Sequence, residues 1–282
     1  MNLTEETTLQ KPICITPPKP WELPDFHEAL QFHELVVLLA IRNLKVRFQQ
    51  TSVGILWIIL QPLILMIIFS VILGVLVRVP TGDIPYPIFF LSGLFVWQFF
   101  SQVVNCSSFG MLEHIGVISK SYFPRLVLPF SFTLSSFVDF FVILILLLVY
   151  LLANGFSINI RYLLLPILFA GTIFISTGVA VLFSAWMILF RDVKNLLSFI
   201  MMVWMYVTPI MYPITLVPEK YRLFIRLNPL TPLVESYRWV LLGKGDLPPI
   251  GHIIVSVAIA CLIWIVAAFV FRKMENKISD VL

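Results

Sequence analysis

The sequence predicts an all-α membrane protein with six transmembrane helices, an N-terminal cytoplasmic interfacial helix and a re-entrant helical hairpin before the last span. Three observations predict it. Six long stretches, at 53–77, 84–112, 126–153, 162–190, 195–217 and 250–271, carry no charge except Asp139. A helix needs about 20 apolar residues to cross the hydrocarbon core, and each stretch is at least that long. Hydrophobic residues make up 60% of the chain and charged ones only 12%, with a mean hydropathy of +0.98. An ordinary soluble domain carries about 25% charge. Finally, no segment between the stretches is long enough for a soluble domain, and in lipid such backbone can satisfy its hydrogen bonds only as helix.

The elements follow in order. Residues 1–27 are polar and Pro-rich, with Glu5 and Glu6 early and no apolar core of signal-peptide length. They read as a flexible cytoplasmic tail. Residues 28–49 alternate Leu30, Leu35, Leu38, Leu39, Ile41 and Val46 with Glu34, Arg42, Asn43, Lys45 and Arg47. That pattern is too charged to span and suits a helix lying in the cytoplasmic interface, against headgroups or a partner protein. Spans are expected at about 53–77, 86–108, 126–152, 163–190, 195–216 and 250–271.

Gln61-Pro62 interrupts the first span, where proline frees a carbonyl and bends the helix. The second opens on Ile84-Pro85-Tyr86-Pro87 and is dense in Phe89, Phe90, Phe95, Trp97, Phe99 and Phe100. Core packing with an interfacial belt is one explanation of these rings; a lining that stacks on sugars is the other. Beyond Val207, Pro209, Pro213, Pro218, Pro229 and Pro232 forbid one continuous helix, and 217–245 is broken into short apolar pieces such as 223–227 and 233–242. Those pieces dip into the outer leaflet as a re-entrant region, with Glu219, Lys220, Arg222, Arg226, Glu235 and Arg238 keeping their turns at the headgroups. Residues 276–282 form a cytoplasmic tail.

Charge orients the bundle. One side carries Arg42, Lys45, Arg47, Lys120, Arg125, Arg191, Lys194, Arg272, Lys273 and Lys277; the short loops opposite carry Arg78 and Arg161. The positive-inside rule makes the first side, and with it both termini, cytoplasmic. Five more cations in 218–249 weigh less, because long loops translocate largely regardless of charge.

Several chemistries are disfavoured. The net charge of +4 forms no backbone-tracking cluster, so nucleic acid is a poor partner. The three cysteines make no disulfide framework and the four histidines no metal spacing. Asp139 is the lone acid within a span. It reads either as part of a proton relay or as a carboxyl bonded within the bundle, to Ser135, Ser136 or another helix. A membrane enzyme acting on polyprenyl-linked sugars would want clustered acids, and none cluster here.

The order of elements, with Gly54-Ile55-Leu56-Trp57, Gln61-Pro62, Ile84-Pro85-Tyr86-Pro87, Tyr122-Phe123-Pro124-Arg125, Arg191-Asp192-Val193, Val217-Pro218-Glu219 and Leu227-Asn228-Pro229-Leu230-Thr231-Pro232, resembles the permease subunit of ABC-2 type polysaccharide exporters, the O-antigen and teichoic acid export group. The resemblance covers about 28–275 and makes 50–275 an ABC-2 type transmembrane domain. It implies a homodimer pairing with two copies of a cytoplasmic ABC ATPase, which holds ATP and Mg. This chain has no phosphate-cradling Gly-x-x-x-x-Gly-Lys-Ser/Thr loop and no catalytic or metal site of its own.

By the same resemblance, Glu113, His114, Ser119, Lys120, Tyr122, Arg191, Asp192 and Lys194 are the ATPase-coupling residues. The cargo implied is a polysaccharide on undecaprenyl diphosphate, moved across the bacterial inner membrane. Arg42, Lys45 and Arg47 are candidates to receive its pyrophosphate at the entrance. Trp57, Phe69, Trp97, Phe100, Trp204, Tyr206 and Tyr212 are candidates for the sugar pathway. An ABC-2 exporter of a smaller lipid or drug cargo is the alternative.

Overall fold

The computed structural model describes residues 31–49, 54, 56–114, 124–190, 192–244 and 247–279. Its regular elements are all helical, with no strand among the described residues. Helix α1 spans His33–Gln49, α2 Leu56–Phe69, α3 Tyr86–Glu113, α4 Val127–Ser135 and α5 Phe137–Ala153. Then come α6 at Leu165–Leu189, α7 at Val193–Val207, α8 at Glu219–Arg226, α9 at Leu230–Leu242 and α10 at Ile250–Ser279. Among the described residues, five segments are long and apolar enough to cross a membrane: Leu56–Leu76, Tyr86–Glu113, Val127–Ala153, Ile160–Leu189 and Ile250–Glu275.

α3 is the centre of the bundle. It packs on α6, α4, α5, α9 and α2, and Ile88, Phe90, Leu91, Phe95, Val96, Phe100, Val103 and Val104 are wholly buried. Its aromatics meet those of its neighbours. Phe95 packs edge-on to Tyr237 at 4.9 Å, Phe99 contacts Phe169 at 5.7 Å, and Phe140 stacks on Phe169 at 4.2 Å. Core packing therefore explains the aromatic density of the second predicted span. Offset and edge-to-face contacts of this kind hold helices beyond what area burial alone provides.

Two spans are not simple α-helices. α2 contains Pro62, buried and inside the helix, and continues from Ser70 to Leu76 as a π-helical turn. There Val77 N–H donates to the Ile72 carbonyl at 2.9 Å. The third segment is divided at Ser136, where the Ser135 and Ser136 hydroxyls both donate to the Phe132 carbonyl at 2.9 Å. Serines bonded back in this way compete with the helix ladder and loosen it locally.

The predicted helix at 195–216 is shorter than expected. α7 has 15 residues, about 22 Å at 1.5 Å per residue, against a hydrocarbon core of about 30 Å. It stops because Thr208 precedes Pro209 and takes an extended conformation, φ −77° and ψ 131°. Hydropathy alone does not register that stop.

The predicted external region also departs from expectation at one residue. α8 and α9 form two short helices joined through Asn228-Pro229, and α9 ends at Gly243 with φ +64°. α9 packs on α3 and α6, and its Arg238 is only 8% exposed. Arg238 is thus a core residue and not a headgroup-level one. The reason is local: three backbone carbonyls surround its guanidinium.

Candidate coupling, entrance and pathway residues

Of the predicted coupling residues, Ser119, Lys120, Tyr122 and Arg191 lie outside the described residues. Glu113 and His114 close α3, and Asp192 and Lys194 open α7; Glu113, Asp192 and Lys194 are exposed. His114 is held by its own helix, its Nδ1 lying 2.7 Å from the Gly110 carbonyl. A carbonyl only accepts, so Nδ1 carries the proton and Nε2 accepts from Arg42 Nη1 at 3.2 Å. The imidazole stands edge-on to Phe132, whose ring lies so close over Gly110 that any side chain there would overlap it. The end of α3 is in this way tied to α1.

The three predicted entrance cations divide between two faces of α1. Arg42 and Lys45 share an exposed face of α1 with Val37, Leu38, Ile41 and Val46. Arg47 lies on the opposite face, toward the bundle, one turn beyond Asn43. Asn43 donates to Ser131 Oγ of α4 at 3.4 Å, and Arg47 Nη1 donates to Asp139 Oδ2 of α5 at 2.5 Å. Asp139 is paired across helices, while Ser135 and Ser136 spend their hydroxyls on Phe132.

The aromatic candidates divide as well. Trp57 and Tyr206 are 54% and 55% exposed and turn their rings outward. Trp97 and Phe100 are buried against each other at 5.5 Å, and Phe69 stacks on Phe90 at 5.0 Å. Trp204 packs on Phe100 and donates from Nε1 to Asn228 Oδ1 at 2.9 Å. Asn228 in turn donates to Thr208 Oγ1 at 2.8 Å and accepts from the Leu230 amide at 3.1 Å. Tyr212 donates to the Tyr206 carbonyl at 2.9 Å. The structure thus brings Trp97, Phe100 and Trp204 together as one packed group, and leaves Trp57 and Tyr206 with free ring faces.

Sequence reasoning missed two residues. Arg238 donates from Nη1 to Pro209 O at 2.7 Å, and from Nη2 to Ile210 O at 2.8 Å and Phe89 O at 3.2 Å. Its guanidinium lies 3.7 Å from the Phe89 ring centre. It joins α9 to the chain leaving α7 and to the start of α3. Gly93 makes the room, since a Cβ there would come within 2.8 Å of Nη2. Asn228 is the second, bridging the end of α7 to the start of α9. One signal was legible: an asparagine ahead of Pro-Leu-Thr-Pro is a turn residue whose side chain bonds nearby backbone.

The sequence model for the ABC-2 type transporter family matches residues 34–242. The chain belongs to that family. The chain is a multi-pass membrane protein of that family. The O-antigen export system permease protein RfbA of Klebsiella pneumoniae is 28% identical over 250 residues, 88% of this chain and 95% of that protein. RfbA of Myxococcus xanthus is 25% identical over 256 residues, 90% and 97% of the two chains. The Escherichia coli polysialic acid transport protein KpsM is 25% identical over 204 residues, 72% and 79%. The family match, 34–242, takes in α1, the central helices and the α8–α9 pair.

Proposed function

We propose that this chain is the transmembrane subunit of an ATP-driven exporter that carries undecaprenyl-diphosphate-linked polysaccharide from the cytoplasm across the bacterial inner membrane. The observation that carries this reading is the similarity, over nearly the full length of both chains, to permeases named for O-antigen export, with a further relative named for polysialic acid transport. Two copies would pair with two copies of a cytoplasmic ABC ATPase, which binds ATP and Mg and does the hydrolysis.

In this reading there are six spans, with α7 as the short fifth. α1 lies along the cytoplasmic interface, α8 and α9 form a hairpin that re-enters from outside, and both termini are cytoplasmic. The coupling surface is Glu113, His114, Ser119, Lys120, Tyr122, Arg191, Asp192 and Lys194. The bonds from His114 to Gly110 and Arg42 support it, because they let a push on the end of α3 reach α1. Arg42 and Lys45 draw the anionic head to the cytoplasmic interface, and Arg47, on the bundle face of α1, receives the diphosphate. The sugar chain then slides along α2 and α7, where the exposed Trp57 and Tyr206 offer flat faces. Stacking on such faces grips a pyranose without demanding one register of hydrogen bonds.

Affinity purification of the tagged chain from its native host tests the assembly. A P-loop ATPase recovered in equal amount, with hydrolysis that rises in the complex, is the expected result. A chain recovered without any ATPase would overturn the exporter reading.

A further inference from the structure

Arg47 and Asp139 form an ion pair whose two ends differ sharply. The Asp139 side chain is 7% exposed, whereas that of Arg47 is 36% exposed at the last turn of α1. Among the described residues, Asp139 Oδ1 is buried with no hydrogen-bond partner, so only Oδ2 is satisfied there. The two serines one turn earlier, which could have completed the carboxylate's bonds, are turned to Phe132. A pair built only for stability would satisfy both oxygens, because a half-satisfied buried carboxylate is costly. Arg47, moreover, keeps an outward-facing part that an anion arriving at the interface can reach.

We infer that Asp139 is a built-in competitor for an anion-binding site at Arg47: it occupies the guanidinium at rest and is displaced by a phosphate-bearing lipid headgroup. The inference rests on the reading of Arg47 as an entrance residue and deepens it. A guanidinium fork accepts carboxylate and phosphate in the same geometry. The carboxylate is tethered, so it pays no entropy of association, and a lone phosphodiester of the surrounding bilayer competes poorly against it. A diphosphate brings more charge and more acceptor oxygens to the same fork. Competition weakens every anion by one common factor, so abundant weak headgroups leave the site empty while a tight one fills it.

Binding of farnesyl diphosphate and farnesyl monophosphate to the full chain in phosphatidylcholine nanodiscs tests this. Asp139→Asn should tighten both by about tenfold and leave their ratio unchanged. Asp139→Glu, which keeps a carboxylate, should stay near the native values, and Arg47→Gln should lose both. Unchanged affinities in Asp139→Asn, or no binding by the native and Asp139→Asn chains, would overturn the competitor. Equal affinity for the two probes in every chain would instead remove the diphosphate preference while leaving the competitor standing. A second measurement needs no variant. A carboxyl no longer covered by its guanidinium is open to a hydrophobic carbodiimide, so farnesyl diphosphate should raise carbodiimide labelling at Asp139 in the native chain, read by mass spectrometry. Labelling that falls or does not change would count against displacement.

Discussion

Arg238 and Gly93 illustrate how single residues hold this membrane bundle together. The guanidinium collects the carbonyls of Pro209 and Ile210, which lie beyond the end of α7 in proline-broken chain, and shares that of Phe89, which also accepts from Ser92 Oγ. In lipid, those carbonyls have no water to turn to. Arg238→Gln removes the fork and is expected to cost about 3 kcal/mol, the range for breaking a buried charged network. Gly93→Ala acts on the same network from the other side, by crowding Nη2. Thermal unfolding in detergent should show both variants destabilised. The double variant should lose less than the sum, because both strike one contact. Trp204 belongs to the same scale. Trp204→Phe keeps the packing on Phe100 but strips the bond to Asn228, at a cost of about 1 kcal/mol in that assay. Asn228→Ala should cost more, since it strands the Trp204 indole and the Leu230 amide together and removes the bond to Thr208 Oγ1.

At the scale of elements, α1 and α7 carry the functional contrast. α1 is anchored to the bundle by Asn43 and Arg47 and to the end of α3 by Arg42, while Lys45 stands on its exposed face. α7 buries Val193, Leu197 and Met201 and exposes Leu196, Phe199, Met202 and Tyr206. Tyr206→Ala should therefore lower export several-fold while assembly and thermal stability stay native. An export rate equal to the native one would remove Tyr206 from the pathway. Charge reversal at Arg191 and Lys194 is expected to uncouple ATP hydrolysis from transport in the assembled complex, and full coupling in that variant would count against this docking surface.

Much at this scale was legible in the sequence. Uncharged runs located five membrane-capable helices, because exclusion of charge from hydrocarbon is a strong rule. The end of α7 was not legible by hydropathy, since 208–217 is as uncharged as the helix before it; only Pro209 marks the stop. The Arg47–Asp139 pair lies 92 positions apart and leaves no local pattern. The charge on Arg238 argued for the surface, and only the three carbonyls that fold around it reverse that argument. The aromatic stretch of α3 allowed two readings, and its burial among Phe140, Phe169 and Tyr237 favours core packing.

Across the described residues, α3 is the most buried of the membrane-capable segments, while α2 and α10 keep long apolar faces outward. In a membrane protein such faces meet lipid or another chain, and the proposed dimer would use part of them. The proposed orientation makes its own prediction. Reporter fusions at either terminus should be active only if the reporter works in the cytoplasm, and labels placed in the turn between α8 and α9 should be reached from outside. The central claim concerns cargo, and it is tested most directly by depleting this protein in its native host while following the lipid-linked glycan on each face of the inner membrane. The account predicts loss of surface polymer with finished, lipid-linked chains accumulating on the cytoplasmic face. Normal surface glycan after depletion would contradict it and would favour an ABC-2 exporter of a smaller lipid or drug cargo.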